Sequence, residues 1–230
     1  MGNAKVKVII PAFNEENAVG NVIKEIPTDI VNEIIVVNNA STDRTETEAR
    51  RHGATVLSER NQGYGFACLK GMDYVAGLPE KPDIVVFLDA DYSDFPQEIP
   101  QLIAPIVNDT VDMVIGSRAL GKRQRGSMTP QQLFGNWLAT SLLKLFYGAN
   151  FTDLGPFRAI RYRSLLDLQM RDTTYGWTVE MQLKAVKKKI RYTEVPVNYR
   201  VRVGKSKVSG TVKGSIMAGY KILWTIFKYL

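Results

Sequence analysis

The chain has 230 residues, 45% of them apolar, which is enough material for a full core and too apolar for disorder. One cysteine (Cys68) and one histidine (His52) exclude a disulfide framework, a cysteine-rich metal site and a multi-histidine zinc site. The net charge of +7 is uneven: residues 1–157 carry 14 Lys/Arg against 19 Asp/Glu and residues 158–213 carry 14 against 4, so a mildly acidic front precedes a basic back suited to nucleic acid, anionic lipid or a phosphorylated substrate.

In chain order, residues 6–10 read as a buried strand stopped by Pro11, and 15–26 as a helix with Asn14 as its cap. Residues 33–37 form a second strand, and a helix runs from Ser41 or Thr42 to His52, with Gly53 as its stop. His52 lies in a charged run and reads as a solvated helix end. Residues 54–57 are a third strand, and 63–76 a helix entered through Gly63-Tyr64-Gly65. Residues 84–88, Ile-Val-Val-Phe-Leu, are a fourth strand, continuously apolar as strands covered on both faces are. The alternation predicts a parallel sheet with right-handed crossovers. Beyond it come a helix (96–107), a strand (111–115), a basic turn-rich loop (120–130), an amphipathic helix (131–147), a strand (157–161), a helix (176–187) and a strand (190–197).

Residues 211–230 predict an amphipathic helix that lysines interrupt too often for a membrane span, which wants about 20 apolar residues. An interfacial helix, packing onto the domain and a lead-in to a membrane segment are the alternatives for it. The N-terminal apolar run is too short for a signal peptide, and Val6 stands where a myristoylation pattern needs Ser or Thr, so a cytoplasmic setting is expected. No repeat and no linker divides the chain.

Polar groups leave four of these elements toward one edge of the sheet: Pro11-Ala12-Phe13-Asn14-Glu15-Glu16, Asn38-Asn39-Ala40-Ser41-Thr42-Asp43, Asn61-Gln62-Gly63-Tyr64-Gly65 and Asp89-Ala90-Asp91. Each alone is weak, since an Asp-x-Asp triplet is commonly a solvated turn. Together they are hard to explain by packing, and open α/β sheets bind ligands outside the carboxyl ends of their strands. Two carboxylates at the end of a buried strand need a cation. Asp89-Ala90-Asp91 is therefore the expected seat of a divalent metal and its polyphosphate, and Asp94 reads as a cap for the helix after Pro96.

These residues resemble the family 2 glycosyltransferases. The carrying motifs are Pro11, Phe13, Asn14 and Glu15 after the first strand, Asn38 to Thr45 after the second, and Asp89-Ala90-Asp91. Gly116-Ser117-Arg118, Thr152-Asp153 through Phe157-Arg158, Glu194-Val195-Pro196, Arg200, Arg202 and Gly204-Lys205-Ser206-Lys207 are similar to the polyprenyl-phosphate glycosyltransferase branch. The sequence departs from the family at Asn38-Asn39, where an acidic pair is usual, and at Tyr64, where a lysine is usual.

The resemblance implies an α/β fold of GT-A type: a Rossmann-like, mostly parallel sheet flanked by helices, in a single domain over 1–210. Residues 1–116 would be the nucleotide-binding half and 117–210 the acceptor half, with a basic C-terminal helical extension at 211–230. It implies metal-dependent, inverting transfer from a nucleoside-diphosphate sugar, by default a UDP-sugar, to a membrane-linked acceptor such as polyprenyl phosphate. Mg²⁺ or Mn²⁺ would sit on Asp91. Pro11, Phe13, Asn14, Glu15, Asn39, Asp89 and Ala90 would hold the nucleotide, and Arg118, Arg158, Arg200, Arg202, Lys205 and Lys207 the acceptor phosphate. A hydroxyl acceptor in envelope glycan synthesis would instead require a carboxylate base, for which Asp153 and Glu180 are the candidates. Asp153 competes with a turn cap and Glu180 with a surface pair to Lys184. A catalytically silent nucleotide-sugar-binding protein is a further alternative. Nucleic acid is not an expected partner, because no aromatic-interleaved basic motif is present and the acidic strand ends repel phosphate. Contact with a membrane surface is an open expectation.

Overall fold

Alternating side chains on the central strands divide the core in two. In β1 (Val6–Ala12), Val6, Val8, Ile10 and Ala12 enter one apolar cluster and Ile9 the other. In β4 (Ile84–Phe87) and the residue after it, Ile84, Val86 and Leu88 join the first cluster, Val85 and Phe87 the second. A strand covered on both faces needs no polar alternation, which is why residues 84–88 read as an unbroken apolar run and β1 as one interrupted only by Lys7. This computed structural model describes residues 4–204, 206 and 212–230, with only the backbone described at 212 and 213.

The remaining strands are β2 (Val31–Asn39), β3 (Thr55–Glu59), β5 (Met113–Ser117), β6 (Arg158–Arg161) and β7 (Tyr192–Pro196), and the sheet order is β3-β2-β1-β4-β6-β5-β7. All pairings are parallel except those of β6, which lies antiparallel between β4 and β5. The expected mostly parallel sheet flanked by helices is what the chain forms. The direction of β6 has a consequence: its register sets Arg158 beside Phe87 and Ile115, in the middle of the sheet.

Helices α1 (Val19–Glu25), α2 (Thr45–Arg51) and α4 (Ile99–Val107) cover the first face. Helices α3 (Tyr64–Gly77), α5 (Pro130–Tyr147), α6 (Tyr162–Leu168), α7 (Trp177–Lys187) and α8 (Val212–Lys228) contribute to the second. α6 has no counterpart among the predicted elements. Thr129 caps α5 with a capping box, its hydroxyl accepting from Gln132 N–H while the Gln132 side chain accepts from Thr129 N–H. Asn14 does not cap α1. Its φ is 54° and its Oδ1 accepts from the Thr42 N–H at 2.8 Å, which ties the β1 exit to the loop after β2. His52 ends α2 half-buried, its ring against Gly20 and its Nδ1 on the Glu48 carbonyl. α8 packs on α5 and α7, and its Ile226 is fully buried.

Candidate active site at the reversal of strand order

The chain builds outward from β1 through β2 to β3, then returns to lay β4 on the other side of β1. The carboxyl ends of strands diverge at such a reversal and leave a crevice. Here that crevice is a cleft of about 640 Å³, a size typical of small-molecule sites. One wall is Pro11, Ala12, Phe13 and Glu15 after β1, Asn39 at the end of β2, Gln62 to Tyr64 at the entry of α3, and Asp89-Ala90-Asp91 after β4. The facing wall is Gln132 of α5, Leu154, Pro156, Thr174, Tyr175, Thr178, and Ala218 and Ile222 of α8, with Arg202 and Ser206 also lining the cleft.

Asn39 holds the first wall together. Its side-chain amide donates to the Asn61 carbonyl at 2.6 Å and to the Glu59 carbonyl, while its Oδ1 accepts from Gly63 N–H at 2.8 Å. An aspartate has no proton for those two donations, so the asparagine fits a loop that the usual acid would not bind in this way. Glycine at 65 serves close approach: a Cβ there would lie 2.1 Å from the Asp172 carbonyl oxygen. The start of α3 thus rests on the 172–173 backbone, with Phe66 N–H donating to Thr173 O at 2.9 Å. That contact positions Thr174, Tyr175 and Thr178, none of which carried a sequence signal.

Beyond β4 the carboxylates are unequally satisfied. Asp91 is 6% exposed. Its Oδ1 accepts from the Ser93 N–H and hydroxyl, and its Oδ2 lies 3.1 Å from Arg202 Nη1. The other arm of Arg202 pairs with Glu15 at 2.8 Å. Val203 N–H donates to the Asp91 carbonyl and Arg200 N–H to the Ser93 carbonyl, so this strap of chain crosses the acidic strand end. Asp89 Oδ1 is shut from solvent with no hydrogen-bond partner among the described residues. Burial, then the neighbouring Asp91, pushes the Asp89 carboxyl up to about 7. Asp94 does not cap the helical turn Pro96–Glu98, which has no side-chain cap. It is buried, neither carboxyl oxygen has a hydrogen-bond partner among the described residues, and burial followed by Asp89 and Asp91 holds its pKa well above the carboxylate range.

Among the described residues no group of three His, Cys, Asp or Glu side chains is assembled that would hold a metal alone. A buried orphan oxygen on Asp89 beside a second carboxylate still fits a hard divalent cation, one whose remaining positions are filled by phosphate oxygens and water.

The other expected site residues are distributed differently. Of the four arginines assigned to the acceptor, only Arg202 lines the cleft. Arg118 is held by Asp153, whose Oδ2 accepts from Arg118 N and Nε at 2.8 Å and whose Oδ1 accepts from Nη2 at 2.7 Å. Burial opposes the Arg118 charge, but Asp153 outweighs it and raises the guanidinium pKa well above its usual value. Arg158 is fully buried in β6, donating to the carbonyls of Thr178, Leu154 and Gly155, and burial lowers its pKa to about 10. It braces the cleft wall from behind and does not reach into it. Arg200 stacks over Tyr92 and Phe95 and pairs with Glu25 at 2.7 Å, outside the cleft. Lys205 and Lys207 lie outside the described residues.

Glu180 is neither a cleft residue nor a surface pair. It is 1% exposed and accepts from the N–H groups of Arg171 and Asp172, the Tyr229 hydroxyl and the Lys184 ammonium. It ties α7 to Tyr229, just beyond α8, and to the loop that forms the cleft wall. Glu180→Gln, which leaves Lys184 without its counter-charge and turns an amide toward backbone donors, is expected to destabilise the fold by about 3 kcal/mol. Turnover of the folded variant, measured below its melting temperature, should stay within about twofold, whereas loss of a general base costs about 10²-fold or more.

The model of the Glycosyl transferase family 2 matches residues 7–168. An uncharacterized glycosyltransferase of Mycobacterium tuberculosis is 34% identical over 220 residues, 95% of this chain and 96% of its own. The dolichyl-phosphate hexose transferase of Haloferax volcanii is 31% identical over 213 residues, 90% of this chain and 88% of its own. Among solved structures, glucosyl-3-phosphoglycerate synthase of Mycobacterium tuberculosis in complex with Mn²⁺, UDP and glucosyl-3-phosphoglycerate superposes with a TM-score of 0.76 at 21% identity, over 98% of this chain and 80% of that one. The superposition gives the GT-A architecture and the family match gives the activity class: the chain belongs to glycosyl transferase family 2 and is a glycosyltransferase.

Proposed function

We propose that the chain transfers a sugar from a UDP-sugar to a polyprenyl phosphate, with inversion at the anomeric carbon and with Mg²⁺ or Mn²⁺ bound. One observation carries the acceptor assignment. The acidic residues lining the cleft are Glu15, Asp89 and Asp91, all on the nucleotide wall, and the facing wall has no carboxylate among the described residues. Both candidate bases are committed elsewhere, Asp153 to Arg118 and Glu180 to four donors. A sugar hydroxyl needs a base to take its proton, whereas a phosphate monoester is already an anion. The name of the Haloferax relative supports the same acceptor class, and the ligands of the synthase structure support UDP and the metal.

In this reading Pro11, Phe13 and Asn39 frame the base. Asp91, with Asp89 beside it, holds the divalent cation, whose charge neutralises the departing diphosphate. An acceptor phosphate oxygen attacks the anomeric carbon as the bond to the β-phosphate oxygen breaks, the electron pair leaves on UDP, and the configuration inverts. Arg202, with Lys205 and Lys207 on the same segment, supplies positive charge to the two phosphates. The nucleotide half spans 1–116, the acceptor half 117–210, and the enzyme works at the cytoplasmic face of a membrane.

UDP- and GDP-sugars presented with Mn²⁺ and either a short-chain polyprenyl phosphate or a saccharide acceptor test the reading. The expected product is a glycosyl polyprenyl phosphate formed from a UDP-sugar, its anomeric configuration opposite to the donor's by NMR. Transfer confined to the saccharide would overturn it.

A further inference from the structure

Among the described residues, ten of the fifteen exposed large apolar side chains lie on two helices, α5 and α8. On α5, Phe134, Trp137 and Leu145 recur at helical spacing. On α8, Tyr220, Trp224 and Phe227 do the same, and Phe227 meets Phe146 of α5 with ring centroids 5.7 Å apart. Trp137 is 61% exposed and Trp224 53%. The two helices are packed together, and Tyr147 of α5 donates its hydroxyl proton to the Ile226 carbonyl of α8. An exposed apolar face that spans two packed helices marks a binding surface.

The charges around the face select the occupant. Residues 113–152 and 195–230, which contain both helices, have no Asp or Glu. They carry exposed Lys122, Arg123 and Arg125 in the loop leading to α5, Lys144 on α5 and Lys228 on α8. A second copy of the chain docked here face to face would set the basic residues of these segments against their own counterparts, and neither helix carries a carboxylate to pair them. Anionic headgroups would neutralise them while acyl chains received the aromatic rings. Basic residues beside exposed Trp, Phe and Leu on helices lying side by side are the signature of interfacial binding.

We propose that the joined outer faces of α5 and α8 are a docking surface for an anionic lipid bilayer. The same two helices contribute Gln132, Ala218 and Ile222 to the cleft. A bilayer on the outer face therefore brings lipid-borne phosphates to the helices that wall the cleft, and the acceptor need not leave its membrane. The inference deepens the lipid-phosphate reading, and its readout is separate from it.

The full chain is sedimented with vesicles of phosphatidylcholine alone and of phosphatidylcholine with an equal part of phosphatidylglycerol. It should bind the anionic vesicles at least about tenfold more tightly, with a blue shift of tryptophan emission, and salt should weaken the binding. The double variant Phe134→Ser/Trp224→Ser should lose at least about tenfold in vesicle affinity. Its melting temperature and its turnover of a water-soluble short-chain acceptor should not change. Absence of wild-type binding to either vesicle, or equal binding by the variant, would overturn the proposal, as would a solution dimer that the variant dissociates without any vesicle binding. Vesicle binding without sugar transfer to any lipid phosphate upholds this surface and overturns the acceptor assignment, so the two failures are distinguishable.

Discussion

Asparagine in place of Asp91 is expected to lower kcat/KM for sugar transfer by about a thousandfold, roughly 4 kcal/mol of transition-state stabilisation. The fold should stay intact, because Arg202 keeps Glu15 as a counter-charge. Asp91 Oδ1 is an acceptor for the Ser93 N–H and hydroxyl, and an asparagine oxygen can replace it there. Oδ2 has a different role: it faces Arg202 and the cleft, and its charge is what a divalent cation would use. The substitution therefore removes charge and keeps the turn. The diphosphate leaves with growing negative charge, so a lost cation is felt most in the transition state, and kcat should fall more than KM rises. Calorimetry supplies the second readout. UDP affinity should depend on Mn²⁺ in the wild type and become nearly independent of it in the variant. A variant that keeps transfer within tenfold and keeps its Mn²⁺-dependent UDP binding would show that Asp91 does not hold the metal.

The cleft wall built from the ends of β1, β2 and β4 was more legible in the sequence than the facing wall and the arginines, for a physical reason. Strands buried on both faces announce themselves as apolar runs, and whatever polar residue follows such a run must stand at the sheet edge. Pro11, Phe13, Glu15, Asn39, Asp89 and Asp91 were readable on that logic, and all line the cleft. Arginine roles follow no such local rule, because a guanidinium reaches far and its partner is distant in sequence. Arg118 and Asp153 are 35 residues apart, and Arg200 and Glu25 are 175 apart. Arg158 was unreadable for a topological reason: only the antiparallel insertion of β6 between β4 and β5 buries it, and a four-residue strand carries no signal of its direction. The cleft residues Thr174, Tyr175 and Thr178 depend on the glycine contact at α3, a backbone approach that no single stretch encodes. Asn14 followed the usual cap pattern, but a positive φ turned its side chain toward Thr42.

Asp153→Asn is expected to destabilise the protein by about 3–5 kcal/mol, a fall in melting temperature of roughly 10 °C for a chain of this size. The aspartate is 1% exposed and its side-chain partner Arg118 is 11% exposed, so the variant leaves a guanidinium buried without its counter-charge. Removing both charges should be milder than removing one. Arg118→Met/Asp153→Asn should recover part of the loss, since the apolar chain fills the space without a charge to compensate. The same pair sets an acid limb. Burial raises the Asp153 pKa, but Arg118 outweighs it and the net shift is downward. Its stabilising contribution is therefore complete above the unfolded carboxyl value of about 3.9, and it is lost as pH falls through the lower folded value. Urea unfolding of the wild type should weaken over that acidic window, and the Asp153→Asn variant should show a flatter profile there. Kinetics separate this brace from a general base. A base would remove a proton in the rate-limiting step, so its loss would erase the acidic limb of kcat and cost about 10²-fold or more at every acceptor concentration. A brace acting through Arg118 and the cleft wall would raise KM for the acceptor and leave that limb in place. An unshifted stability of Asp153→Asn combined with a collapsed kcat would return Asp153 to the chemistry and reopen the hydroxyl acceptor.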